Sequence, residues 1–355
     1  MVAGHLQEKK GYFYIVLNLK DGKGARKTKW LPTGLTVKGN KRKAEAMLLT
    51  ARQNYTSEIV TPEAKMPFSE YMLHWLKTIK ADVEANTYSG YQNVVKSRIV
   101  PYFRCSGITL GELRAIHIQE FYLYCQTTLH VSNNTIAHYH ATLSHALRYA
   151  TQMDLISSNP MERVKRPKMV PHTPSFYSLE ETELLIQQSH RDPIEFAVLM
   201  ASFYGLRRSE IAGLCWQSID FVSNRITIDR TVIQTRIDGE MQIIEKKRTK
   251  NKSSCRSLPL MPQFKAYLLQ QKARQEENRR LCGSCYIDSD YIYVNDLGQP
   301  YRPDYITTHF AYFLKKHGLR KITFHELRHP YVKHTTKIFS LRSMAFQAQA
   351  YPDAR

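Results

Sequence analysis

The chain has 355 residues, which allows two or three domains, and 43% of them are hydrophobic, enough for real cores. Lys and Arg outnumber Asp and Glu by 51 to 31, a formal charge of +20. Such a surplus points to a polyanionic partner, because each neutralised phosphate releases condensed counterions; a merely basic soluble protein, such as a ribosome-associated factor, is the plainer alternative. No window approaches the roughly 20 apolar residues of a membrane span, and the opening "MVAGHLQEKKGYFY" lacks the apolar core of a signal peptide.

Residues 1–65 form a small basic unit, with 13 Lys and Arg against 5 Asp and Glu, a surplus of eight positive charges. In "GYFYIVLNL", Phe13, Ile15, Leu17 and Leu19 alternate with Tyr12, Tyr14, Val16 and Asn18, the period of a half-buried strand. "DGKG" (21–24) predicts a turn, "ARKTKWLPTGL" a second strand and another turn, and "KRKAEAMLLTARQNYTSEI" a helix. A thin sheet with cations beside aromatics, Lys27 and Lys29 among them, can lie in a DNA groove; the bland reading is a solvated charged face.

Residues 66–165 read as helical. Phe68, Tyr71, Met72, Trp75, Leu76 and Ile79 make one apolar stripe. A second helix is expected through "NTYSGYQNVVKSRIV", stopping at Pro101, a third over "IHIQEFYLYCQTT", and a fourth over "SNNTIAHYHATLSHALRYATQMDLI". His138, His140 and His145 fall in the fourth and are read as packing or phosphate-facing groups, since no carboxylate accompanies them for a metal. "VKRPKMVPHTPSF" holds three prolines, with Lys165, Arg166 and Lys168 as its DNA-facing candidates, and predicts an extended basic linker over 166–177.

From 178 onward, Ser178 and Glu181 stand at capping-box spacing. "PIEFAVLMASFYGLRRSEIAGLCW" predicts two helices divided by Gly205. Three short strands with an "RIDGE" turn and a very basic loop follow, and helices resume at Pro262. The six cysteines (Cys105, Cys125, Cys215, Cys255, Cys282, Cys285) are scattered, which suits a reducing cytoplasm, and "CGSC" lacks the second pair of a zinc site, so it reads as a loop with two free thiols.

"TFHELRH" supports two readings. His325 and His329 fit H-E-x-x-H, yet Pro330 disturbs the helix face such a site needs and no third ligand stands nearby. His325 and Arg328 also fit a phosphate-gripping pair. With Arg207 in "GLRRSE" and Lys250 in "RTKNKSSCR", they make an ordered set suited to phosphoryl chemistry. Two guanidiniums can grip one phosphodiester, a lysine can protonate a leaving oxygen, and histidine moves protons near neutrality. No Asp/Glu cluster that would hold catalytic magnesium is evident, so neither metal nor cofactor is expected.

"YGLRRSEIAGLCW", "KRTKNKSSCRSLPL" and "TFHELRH" resemble, in order, the three main motif blocks of the tyrosine recombinases, specifically phage and conjugative-transposon integrases. "SNNTIAHYHATLSHALRYATQMDLISSNPMERVKRP" is similar to their core-site-binding domain, and the first segment to their three-stranded arm-site-binding domain; together the resemblance covers about nine-tenths of the chain. It implies a multidomain, mostly α fold with small β-sheets: an arm-type DNA-binding unit (1–65), a helical core-binding bundle (66–165), the linker, and an α+β catalytic domain (178–355). It implies site-specific breaking and rejoining of duplex DNA through a 3′-phosphotyrosine by a tetramer, with an accessory directionality factor as a possible partner. Arg207 and Arg328 would clamp the phosphate, Lys250 would be the general acid, His325 would assist, Glu210 would orient Arg207, and Lys252 would add a DNA contact. In relatives the nucleophilic tyrosine lies about thirty residues past the second arginine, after an "LGH"-like block. Here no such block follows, Tyr331 stands three residues from Arg328, and Tyr351 falls short of the expected place but remains a candidate. Pro330 interrupts a run that should be helical. The expectation is a truncation or frameshift near residue 330, with a genuine tail as the alternative, and a chain that binds core-site DNA without forming the covalent bond. The other readings are a defective remnant that only binds DNA and a type IB topoisomerase-like enzyme.

Overall fold

A computed structural model describes residues 3–20, 26–56, 62–171, 173–247 and 255–328. The chain divides into two compact units, Met1–Pro171 and His172–Arg355, a division that falls between residues 166 and 177.

The first unit begins with an antiparallel sheet in the order β1-β2-β3: β1 (Ala3–Lys9), β2 (Tyr12–Lys20) and β3 (Arg26–Thr36). Lys10 and Gly11 both have positive φ, the backbone of a tight two-residue hairpin. Helix α1 (Lys41–Thr56) contributes Leu48 and Ala51 to a core with Ile15, Leu17, Leu6 and Leu31. Phe13 and Leu17 are buried as the alternation predicts, and so is Val16 on the opposite face, paired across the strands with Trp30. The second strand and turn expected at "ARKTKWLPTGL" are instead one long strand. It passes through Pro32 and Gly34 because an edge strand tolerates a missing N–H and a register shift opposite Tyr12 and Tyr14 takes up the irregularity. The turn expected at 21–24 lies outside the described residues.

Five helices follow: α2 (Phe68–Ile79), α3 (Ala85–Val94), α4 (Val100–Ser106), α5 (Ala115–Thr127) and α6 (Asn133–Gln152). All six residues of the predicted stripe on α2 are buried. The Tyr71 hydroxyl donates to the Ala146 carbonyl at 2.6 Å, locking α2 to α6. The helix expected to stop at Pro101 does not stop there. A π-turn (Val95–Ile99) joins α3 to α4, with Pro101 in the first turn of α4. The wider turn accommodates the missing N–H and moves the carbonyl that the proline ring would strike. The run ends at Gly107, whose φ is 63°. Of the three histidines, His145 packs beside Trp75 and Tyr91, His140 bonds the Tyr122 hydroxyl at 2.9 Å, and His138 is exposed. Burial and then the Arg166 charge hold the His140 pKa below its ordinary value.

The second unit begins with α7 (Leu179–Gln188), closed by the predicted capping box: Ser178 N–H donates to Glu181 Oε2 at 2.7 Å, and Glu181 N–H to Ser178 Oγ at 3.2 Å. Helix α8 (Glu195–Tyr204) has every residue from Phe196 to Tyr204 buried, so it runs through the middle of this unit's core. It ends at Gly205, φ 61°, and α9 (Arg208–Ile211) follows at once. Strands β4 (Ile219–Asp220) and β5 (Arg225–Ile228) come next, then the hairpin β6 (Arg230–Ile237) and β7 (Glu240–Lys247), then β8 (Arg256–Pro259), which pairs with β5. The stretch expected to hold three strands thus holds four, because Asp229 separates β5 from β6. The "RIDGE" turn is real: Asp238 and Gly239 both have positive φ. Helices α10 (Pro262–Cys282) and α11 (Pro303–Lys316) and a 3-10 turn (Phe324–Arg328) complete the unit's described residues. Phe264, Phe310, Phe324 and Leu327 close its core around α8. Among the described residues no helix is long and apolar enough to cross a membrane.

Candidate active site

The carbon skeleton of the site comes from the abrupt end of α8. Gly205 adopts the left-handed conformation that stops the helix, which places Arg207 as the N-cap of α9. There Arg207 N–H donates to Glu210 Oε2 at 2.9 Å, and its Nη1 to Oε1 at 3.0 Å. A second guanidinium reaches the same carboxylate from β8: Arg256 Nη1 lies 3.1 Å from Oε1 and Nη2 2.8 Å from Oε2. Glu210 is completely buried, whereas Arg207 and Arg256 keep 51% and 32% of their side chains exposed. Burial alone would push the Glu210 pKa up, but the Arg256 hydrogen bonds, the Arg207 backbone N–H, the Arg256 charge and the Arg207 side-chain hydrogen bond outweigh it and hold it at about 2.

Arg328 enters from the 3-10 turn. Its Nε donates to the Gly205 carbonyl at 2.7 Å, which ties the turn to the end of α8 two residues before Arg207. Its pKa is lowered, first by burial and then by repulsion from Arg207 and Arg256, with Glu210 opposing. Two guanidiniums thus hydrogen-bond the Glu210 carboxylate, and that of Arg328 lies close enough to feel its charge. His325 is exposed on the same turn. In a 3-10 turn residues i and i+3 eclipse, so His325 and Arg328 share a face.

The intervening Glu326 weighs against the zinc reading of "HELRH". Its carboxylate is buried and accepts hydrogen bonds from Thr323 N–H (2.6 Å), Thr323 Oγ1 (2.8 Å) and Ser175 N–H (2.9 Å). A metalloprotease base must face a metal-bound water on a continuous α-helix, whereas this carboxylate caps its own 3-10 turn. Among the described residues no group of three His, Cys, Asp or Glu is placed to hold a metal. Cys282 and Cys285 are free thiols at the end of α10 and in the short turn after it.

The structure thus brings together Arg207, Glu210 and Arg328. Lys250, Lys252, Tyr331 and Tyr351 lie outside the described residues. Lys27 and Lys29 sit in β3, paired through the backbone with Leu19 and Leu17, and Lys29 is exposed. Lys165, Arg166 and Lys168 are exposed on a segment with no helix or strand, pinned by side-chain amides: Gln119 donates to the Lys165 carbonyl, Asn133 to that of Lys168, and Asn134 pairs twice with Val170. Arg256 is the residue that sequence reasoning missed. It is one of six Lys and Arg between Lys246 and Arg256. Its only distinguishing mark is that it opens a strand directly after the basic loop.

The sequence model of the phage integrase family matches residues 177–336, and that of the phage integrase N-terminal SAM-like domain matches residues 67–124. A XerC-like tyrosine recombinase of Caldanaerobacter subterraneus is 26% identical over 271 residues, 71% of this chain and 66% of its own length. The ICEBs1 integrase of Bacillus subtilis is 25% identical over 81% of this chain and 77% of its own length. Among solved structures, the Tn1549 transposon integrase bound to transposon right-end DNA aligns over 78% of this chain and 89% of its own, with TM-score 0.56 and 20% identity. A lambda integrase tetramer on a Holliday junction aligns over 96% and 93%, with TM-score 0.56 and 17% identity. These two structures share the fold.

Proposed function

The chain belongs to the phage integrase family of tyrosine recombinases, and from that premise we propose that it is a site-specific DNA recombinase acting in integration and excision of a mobile element. The observation that carries the proposal is the cluster of Arg207, Arg256 and Arg328 about the buried carboxylate of Glu210. Three guanidiniums held by a helix cap, a strand and a 3-10 turn form a ready partner for the oxygens of a phosphodiester. In the proposed reaction a tyrosine hydroxyl attacks the phosphorus, forming a Tyr–O–P bond as the P–O5′ bond breaks. Arg207 and Arg328 stabilise the charge that builds on the non-bridging oxygens. Lys250 donates the proton that the departing 5′ oxygen takes up, and His325 assists proton movement. Tyr351 is the candidate nucleophile.

The parts of the chain take roles accordingly. The sheet and α1 (1–65) hold arm-type DNA, the helices of 66–165 and the catalytic segment from 178 hold the core site, and 166–177 is the basic linker along the DNA. Lys27, Lys29, Lys165, Arg166, Lys168 and Lys252 contact phosphates. Four copies assemble on two duplexes, a directionality factor selects excision, and the protein works in the bacterial cytoplasm on the nucleoid. The resemblance of the relatives' names and of the two DNA-bound structures supports this reading.

The test is incubation with a nicked core-site duplex, followed by denaturing electrophoresis and peptide mapping. A protein–DNA adduct carried by a tyrosine is the result this reading requires, against the expectation, from the stretch after Arg328, of binding without the covalent bond; the adduct's peptide would identify the nucleophile. Salt-sensitive DNA binding with no adduct would replace this reading with that of a DNA-binding remnant. Duplex binding that ignores salt would overturn both.

A further inference from the structure

Arg256 and Arg207 compete for one carboxylate, and they do so unequally. Arg256 commits both terminal nitrogens, one to each Glu210 oxygen, in the bidentate fork that guanidinium and carboxylate prefer. Arg207 commits only Nη1 and its backbone N–H, and no described residue takes its Nη2 or Nε. The exposures follow the same division, with 51% of the Arg207 side chain facing solvent against 32% for Arg256.

We propose that Arg256 is a positioning residue: by occupying both oxygens of Glu210 it prevents the carboxylate from closing bidentately on Arg207, and so keeps the Arg207 guanidinium turned outward with N–H groups available to a phosphate. This rests on the reading of Arg207 and Arg328 as a phosphate clamp. The physical ground is that a fully buried carboxylate cannot be left short of partners. With Arg256 gone, Arg207 is already at 3.0 Å and can supply the missing bonds by folding inward. An arginine that merely anchored β8 to α9 would not govern how Arg207 is presented.

Arginine-selective labelling of the full chain tests this without requiring DNA cleavage. Phenylglyoxal modification of Arg207 is followed by peptide mass spectrometry, with and without inorganic phosphate, in the parent, Arg256→Gln, Arg256→Lys, and the double variant Arg256→Gln with Glu210→Gln. In the parent, Arg207 should react and phosphate should slow the reaction. In Arg256→Gln its rate should fall about tenfold, the lower end of what one added charged hydrogen bond is worth, and phosphate should lose its effect. Arg256→Lys, which supplies a point charge without the fork, should fall between. The double variant should regain the parent rate, because the carboxylate that draws Arg207 inward is gone. If Arg256→Gln does not fold, Arg256→Lys and the double variant still order the rates. Parent-like Arg207 labelling in both single variants, or a double variant no faster than Arg256→Gln, overturns the proposal. Absence of phosphate protection in the parent instead sinks the clamp reading, while the order of labelling rates still judges the role of Arg256.

Discussion

Replacing Glu210 by Gln keeps the side chain's shape and removes its charge. The carboxylate is held at about 2 against an ordinary 4.5, a difference that corresponds to roughly 3 kcal/mol of stability at neutral pH, at about 1.4 kcal/mol per pKa unit. Breaking a buried ion pair from one side costs about 3–5 kcal/mol, and the partial exposure of Arg207 and Arg256 lets them rehydrate and lowers that figure, so the two routes meet near 3. The sign follows from the direction of the shift. A carboxylate whose folded-state pKa is depressed contributes fully above its unfolded value and loses the contribution as pH falls from about 4.5 towards about 2. The deficit of Glu210→Gln should therefore be about 3 kcal/mol at pH 7 and only roughly 1 kcal/mol at pH 3. Urea unfolding at the two pH values, followed by far-UV circular dichroism, measures it. A variant as stable as the parent at pH 7, or one whose deficit is unchanged at pH 3, would refute the charge-based account of this residue.

Trp75→Ala should cost about 3–5 kcal/mol by leaving a cavity at a fully buried position of α2, and native-state hydrogen exchange in α2, α3 and α6 should speed up accordingly. In any form of the protein that cleaves, Arg207→Ala should lower the rate of adduct formation on a nicked core site about 10²–10³-fold through loss of a transition-state charge partner. Its duplex affinity, measured by gel shift, should move less than about threefold, because one phosphate contact among many contributes little to binding. Deleting residues 1–65 should abolish arm-site binding and leave core-site binding measurable by the same assay.

Local chemistry alone was enough for several features. The α2 stripe shows in the sequence because helical periodicity and burial agree there. The Ser178 capping box, the stop at Gly205 and the Asp238–Gly239 turn show because each depends on residues within a few positions of one another. Arg207, Glu210 and Arg328 could be named because they stand in ordered motifs, and Arg207 and Glu210 lie within a single helical turn of each other. Tertiary structure decided the rest. Strand β1 has little pattern of its own and exists because β2 supplies its hydrogen bonds. Pro101 stays inside a helical run because the π-turn before it makes room, an adjustment that propensity rules do not register. Glu326 was ambiguous until its partners, Thr323 beside it and Ser175 far away in the chain, showed that it caps a turn. Arg256 is one cation among six in its stretch, and only the approach of β8 to α9 sets it on Glu210. A buried carboxylate selects its partners by distance in space, and that distance is fixed by packing between segments that sequence order keeps apart.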